Sequence, residues 1–226
     1  MEEATNVEVA HTLAHRETPG EPSGRERLIE IAEAALLALV AVAAAWSGYQ
    51  AAKWDGHEAF LYGTADEHRV RATAAATAGG QQRLLDVSTF NTWIQAHQEG
   101  DKELEELYVR RFSPEYKVAF DAWLQTDPFN NPDAPAGPIY MPEYHNALLA
   151  QASALNRQAD DAFTEGTHAR ETSERYVAAT VLFATVLFLI AIAQRFRVRA
   201  VRMGMLGVAT GLMIFVLVMI ASYPRA

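Results

Sequence analysis

VAATVLFATVLFLIAIA (177–193), QRFRVRAVR (194–202) and MGMLGVATGLMIFVLVMIAS (203–222) follow one another without a gap. The outer two are apolar runs close to the ~20 residues that a helix needs to cross ~30 Å of hydrocarbon. The middle one carries Arg195, Arg197, Arg199 and Arg202 and no acidic residue. Short arginine-rich loops stay on the cytoplasmic side of a membrane. The stretch therefore predicts two transmembrane helices joined by a basic cytoplasmic turn, whose arginines also suit anionic lipid headgroups. Gly204, Gly207 and Gly211 give the last span a small-residue face for helix packing.

Upstream, LIEIAEAALLALVAVAAAWSGY (28–49) is a third apolar run, richer in alanine and interrupted by Glu30 and Glu33. Arg25 and Arg27 precede it, and Trp46 and Tyr49 stand at its far end as interfacial aromatics do. A charged leader with two glutamates ahead of the apolar core argues for an uncleaved signal anchor. Residues 1–24 have few large apolar side chains and end in Pro19-Gly20-Glu21-Pro22-Ser23-Gly24. They are expected as a disordered cytoplasmic tail, in which His11 and His15 are solvated, with Ser23 capping the helix that follows. Residues 50–176 then lie outside the cytoplasm.

That region reads as helical. Ala52, Gly56, Ala59, Gly63, Asp66, Val70, Thr73, Thr77, Gly80, Leu84 and Val87 recur at alternating spacings of four and three, a seam along one helical face. The predicted helix continues from the first span to about His97, through Gly79-Gly80. Gly100-Asp101 marks a turn. Ser113-Pro114 restarts a helix as cap and first residue, with Tyr116, Phe120, Trp123 and Leu124 on its aromatic face. Residues 127–142 hold five prolines and are expected as an irregular loop, with Phe129 and Tyr140 either available to a partner or folded back on Trp123 and Phe120. Pro142 is expected to open a returning helix. Its seam, Leu148, Ala152, Leu155, Ala159, Ala162, Gly166, Ala169, Ser173 and Tyr176, runs into the second span. Facing seams imply a close antiparallel coiled-coil crossing with Gly63 and Gly166 as packing residues. The fold class is all-α: three transmembrane helices and a long antiparallel helical extracytoplasmic domain.

The order of these parts, with the W-x-x-Y-Q-A-x-K segment at Trp46, Tyr49, Gln50, Ala51 and Lys53, resembles a family of bacterial three-pass membrane proteins known only as a domain of unknown function. The resemblance implies a bacterial inner-membrane location and carries no activity or site residues.

Charge and motifs narrow the chemistry. Of the net charge of −9, residues 50–176 contribute all nine, with twenty acids against eleven bases. Nucleic acid needs a basic face, so it is not an expected partner. Without cysteine, no disulfide scaffold or thiolate metal site forms. His57 and His68 are three helical turns apart, about 16 Å, too far to share a metal. No P-loop, G-x-S-x-G or G-x-G-x-x-G segment is present, so no catalytic residue, metal or cofactor is assigned. Asp66 is either solvated or paired with a base such as Arg157. Glu30 and Glu33 are the chemical suspects, because a carboxylate within a membrane is a proton or cation site by default. The competing reading has them pairing at the cytoplasmic interface with the arginines there. Two functions follow. The first is a non-enzymatic, self-associating membrane protein whose extracytoplasmic domain binds or scaffolds an unknown protein partner. The alternative is a subunit of an oligomeric channel or transporter using Glu33.

Overall fold

The computed structural model describes residues 24–196 and 198–225, without the side chains of residues 25 and 26. The expected tail with His11, His15 and the Ser23 cap, apart from Gly24, lies outside the described residues, as does Arg197. Among the described residues the chain is all-helical. Its elements are α1 (Gly24–Glu99), α2 (Lys102–Val109), α3 (Pro114–Leu124), a 3-10 turn (Pro138–Tyr140), α4 (Ala147–Ala193) and α5 (Arg199–Ala221). Three of them, α1, α4 and α5, are long and apolar enough to cross a membrane.

The chain divides into two compact units, to which α1 and α4 each contribute: one of residues up to Trp54 with residues from Glu171, the other of Asp55–Arg170. The first is built around the span of α4. Tyr176, Ala179, Phe183, Val186, Ile190 and Ala193 alternate by three and four and are all fully buried. Val40 and Ala51 of α1 and Ala209, Val216 and Ile220 of α5 close around them. The opposite faces expose Val42, Val181, Phe188, Val208 and Ile214, which suits acyl chains and not water.

Polar pins fix the helices of this unit at one end. The Ser47 hydroxyl donates to the Tyr176 carbonyl at 2.9 Å, and the Ser173 hydroxyl to the Ala51 carbonyl at 3.0 Å. The Trp46 and Tyr176 rings meet edge to face, centroids 5.8 Å apart. The short segment from Trp46 to Lys53 thus has a packing role: Gln50 and Ala51 are buried in the unit.

In the second unit α1 pairs with α4, and contacts move up one helix as they move down the other. Tyr62 meets Phe163 and Thr167, Arg69 reaches Asp160 at 3.9 Å, and Gly79 lies against Leu149. On α4 burial follows the expected stripe from Ala152 through Leu155, Ala159, Gly166 and Ala169; Leu148 at its head is exposed. A Cβ at Gly166 would lie 2.7 Å from Cε1 of Tyr62, so any larger residue there must displace that ring.

On α1 the expected face is corrected. Ala59, Gly63, Val70 and Thr77 are exposed, and the buried stripe is Leu61, Ala65, Ala72, Ala75 and Gly79. A side chain at Gly63 or Gly80 would meet nothing within 4 Å. Alanine is so frequent here that two four–three registers fit. The one that wins is continuous with Phe90 and Trp93, whose rings bury far more area than any alanine. The start of the returning helix is also corrected. It begins at Ala147, not Pro142, because the Asn146 side chain accepts from the Leu149 amide at 3.0 Å and caps it. Likewise α5 begins at Arg199, so the last residues of the expected basic turn form its first helical turn.

Candidate functional site

Two buried carboxylates stand out, one in each unit. Glu33 is 3% exposed. Arg202 gives it two parallel hydrogen bonds, Nε to Oε1 and Nη2 to Oε2, both 2.7 Å. Planar guanidinium and planar carboxylate match in this fork, which is among the stronger charge-assisted arrangements. The pair exists because Arg202 lies on the first turn of α5 and Glu33 near the start of α1. Glu30, one turn from Glu33, is exposed, as are Arg195 and Arg199. A groove of about 610 Å³ runs beside the pair, lined by Glu33, Gly207 and Gly211 among apolar side chains. Among the described residues, side chains at Gly204, Gly207 or Gly211 would meet nothing within 4 Å.

The second carboxylate, Asp86, has no motif around it. It is 4% exposed on the buried face of α1 and accepts three neutral donors. Gln82 Nε2 and Ser113 Oγ reach Oδ1 at 2.9 and 3.2 Å. The Tyr144 hydroxyl reaches Oδ2 at 3.1 Å. Ser113 also accepts from the Tyr116 amide at 3.2 Å as the N-cap of α3. One carboxylate therefore ties α1, the cap of α3 and the segment before α4 together.

Beside this network lies a cluster of rings. Phe90, Trp93, Phe112, Tyr116, Phe120 and Trp123 form its buried part. Phe90 and Trp93 meet Trp123 and Phe120 edge to face at 5.0 and 4.7 Å, spacings that favour ring quadrupoles beyond area burial alone. The Tyr116 hydroxyl is buried without a hydrogen-bond partner. Burial, and then the nearby Asp86 charge, push its ionisation well above that of a free tyrosine. Tyr144 is shifted up as well, burial leading.

At the edge of the cluster His97 is stacked between Trp93 and Phe129, centroids 5.2 and 4.4 Å away. Its Nδ1 lies 3.3 Å from Glu105 Oε2. Lys102 hydrogen-bonds the other oxygen of Glu105 at 2.8 Å, and chiefly this contact holds that carboxyl below the usual range. Phe129 is half-exposed against His97, whereas Tyr140 is exposed. Asp66 is solvated and sits 3.7 Å from Arg69.

The two carboxylates are held differently: one is paired with a guanidinium, the other accepts from three neutral donors. Among the described residues no group of three or more His, Asp or Glu side chains could hold a metal ion. Sequence reasoning reached Glu33 and the arginines, but it missed Asp86, Gln82, Ser113 as a bridge and the His97 stack. The signal for Asp86 was its place seven residues before Trp93 and four before Phe90, on the same face. Comparison with protein-family models, with curated proteins and with solved structures finds no match.

Proposed function

We propose that this is a non-enzymatic, self-associating protein of a bacterial inner membrane. Its three spans anchor an antiparallel helical domain, residues 50–176, on the extracytoplasmic side, where it binds or scaffolds a protein partner. One observation carries the self-association. Gly56, Gly63, Val70, Thr77 and Leu84 recur every seven residues on α1, and all five are exposed. Phe60 beside them is 69% exposed. A heptad face of small and apolar residues buries itself against another helix, and among the described residues of one chain this one stays uncovered. A second copy supplies the same face by symmetry.

The alternative, an ion or proton path through Glu33, needs a carboxylate free to exchange its cation. The two hydrogen bonds from Arg202 favour a structural anchor instead. The arginine turn supports a cytoplasmic N-terminus.

Because the chain has no cysteine, introduced thiols report cleanly. Gly63→Cys is expected to form a disulfide between copies in oxidising membranes, while Ala150→Cys is not. A Gly63→Cys protein that stays monomeric at every concentration, by cross-linking and by mass in nanodiscs, removes the self-association. For orientation, cysteine at Asn131 is expected to react with an impermeant reagent in spheroplasts, and cysteine at Ala200 to be shielded. The reverse pattern would invert the topology.

A further inference from the structure

We propose that the groove between α1 and α5 beside Trp46 binds an anionic phospholipid, one acyl chain in the groove and the phosphate on Arg225. This rests on the reading that the spans cross a bilayer. The groove encloses about 430 Å³, and Leu39, Val42, Leu217 and Ile220 are among its apolar walls. Its volume is in the range of small-molecule sites, which combine apolar walls with a few placed polar groups. Here the only nitrogen-bearing side chains are Trp46 and Arg225.

Arg225 is presented by a built support. The carbonyl of Pro224, the residue before it, accepts hydrogen bonds from the Tyr176 hydroxyl at 3.1 Å and the Trp54 indole at 3.3 Å. The Tyr223 ring packs edge to face on Tyr176 at 5.4 Å. Three aromatic side chains thus hold the chain at the point where Arg225 leaves it. The guanidinium is exposed, and no carboxylate among the described residues pairs with it. Guanidinium matches phosphate oxygens in a two-pronged geometry that lysine cannot reproduce. Trp46, with an apolar body and one donor, suits the boundary between acyl chain and headgroup.

A second copy fits the same groove less well. The acids of the membrane unit near this end are Glu171 and Glu174, and both already have interactions inside their own chain. A phosphodiester carries the missing charge and the missing apolar chain in one molecule.

The test is native mass spectrometry of the full chain released from nanodiscs of phosphatidylcholine with a minority of phosphatidylglycerol. One retained phosphatidylglycerol per chain is expected, in excess of its share of the bilayer. Arg225→Gln is expected to lower that preference about fivefold, the value of one cation near an anionic surface. Val42→Trp, which fills the groove, is expected to remove retention of both lipids. Equal retention of the two lipids by the parent protein overturns the proposal. So does a preference that Arg225→Gln leaves intact, or a paired mass in which a second copy replaces the lipid. A chain that enters no nanodisc sinks the membrane reading itself, and the lipid site with it.

Discussion

Glu33 and Asp86 answer the same problem in two ways. Each is a carboxylate at least 96% buried on the same helix, α1. In the unit with the spans, the solution is a full opposite charge at 2.7 Å. In the other unit it is three neutral donors from three segments. Both exteriors carry exposed apolar side chains, but they differ in how many charges stand among them. The first exposes Val42, Val181 and Phe188; apolar surroundings of that kind offer a charge no solvation, and the cation beside Glu33 offsets its burial. The second exposes acids and bases, and its polar groups can be satisfied by dipoles. The lesson is that the surroundings of a unit, more than the residue, decide how a buried charge is held.

Breaking the ion pair gives the largest expected effect. Arg202→Leu leaves Glu33 buried and unpaired, and thermal unfolding in mild detergent should show a loss on the order of 3 kcal/mol. Glu33→Gln should cost less, because Arg202 is 27% exposed and its long side chain can reach the headgroups. Replacing both by Leu should recover most of the loss. If the double variant is as unstable as Arg202→Leu, the pair is not the unit of stability that the comparison assumes.

Asp86→Ala comes next. It strands Gln82, Ser113 and Tyr144 donors, each partly able to find water, at a cost of about 2 kcal/mol. Hydrogen exchange should rise in α3 and at the start of α4 and remain unchanged around Phe183. Exchange that rises equally in both regions would show that the two units do not respond separately.

Close packing separates the two glycines that the sequence reading treated alike. Gly166→Ala should cost roughly 1 kcal/mol, because its new methyl must displace the Tyr62 ring. Gly63→Ala should be neutral or slightly stabilising in a monomer, since helix propensity favours alanine. Equal destabilisation of the monomer by both would restore the discarded face of α1.

At neutral pH the effect at Tyr116 has the opposite sign. Its buried hydroxyl has no partner among the described residues, so Tyr116→Phe removes an unsatisfied group and should raise stability by up to about 1 kcal/mol. The pH dependence is more telling. Its folded-state ionisation is raised, so its contribution is intact below the ordinary value of 10 and is lost as pH rises above it. Tyr116→Phe should therefore flatten the alkaline fall in stability. A parent and variant with superimposable alkaline profiles would show that Tyr116 ionises freely in the folded protein.

By itself the sequence determined the all-helical class, the three apolar segments, the break at Gly100-Asp101, the Ser113 cap and the α4 stripe. These are local or periodic properties: an apolar run of spanning length, a cap residue and a four–three repeat each carry their signal within a few turns. Tertiary structure alone decided which face of α1 is buried, because RATAAATAGG (71–80) offers two registers and distant Phe90 and Trp93 choose between them. It also decided that Glu33 meets Arg202, 169 residues away, and that Asp86 collects Ser113 and Tyr144. Those partners are set by how the helices return past one another, which no spacing along the chain encodes.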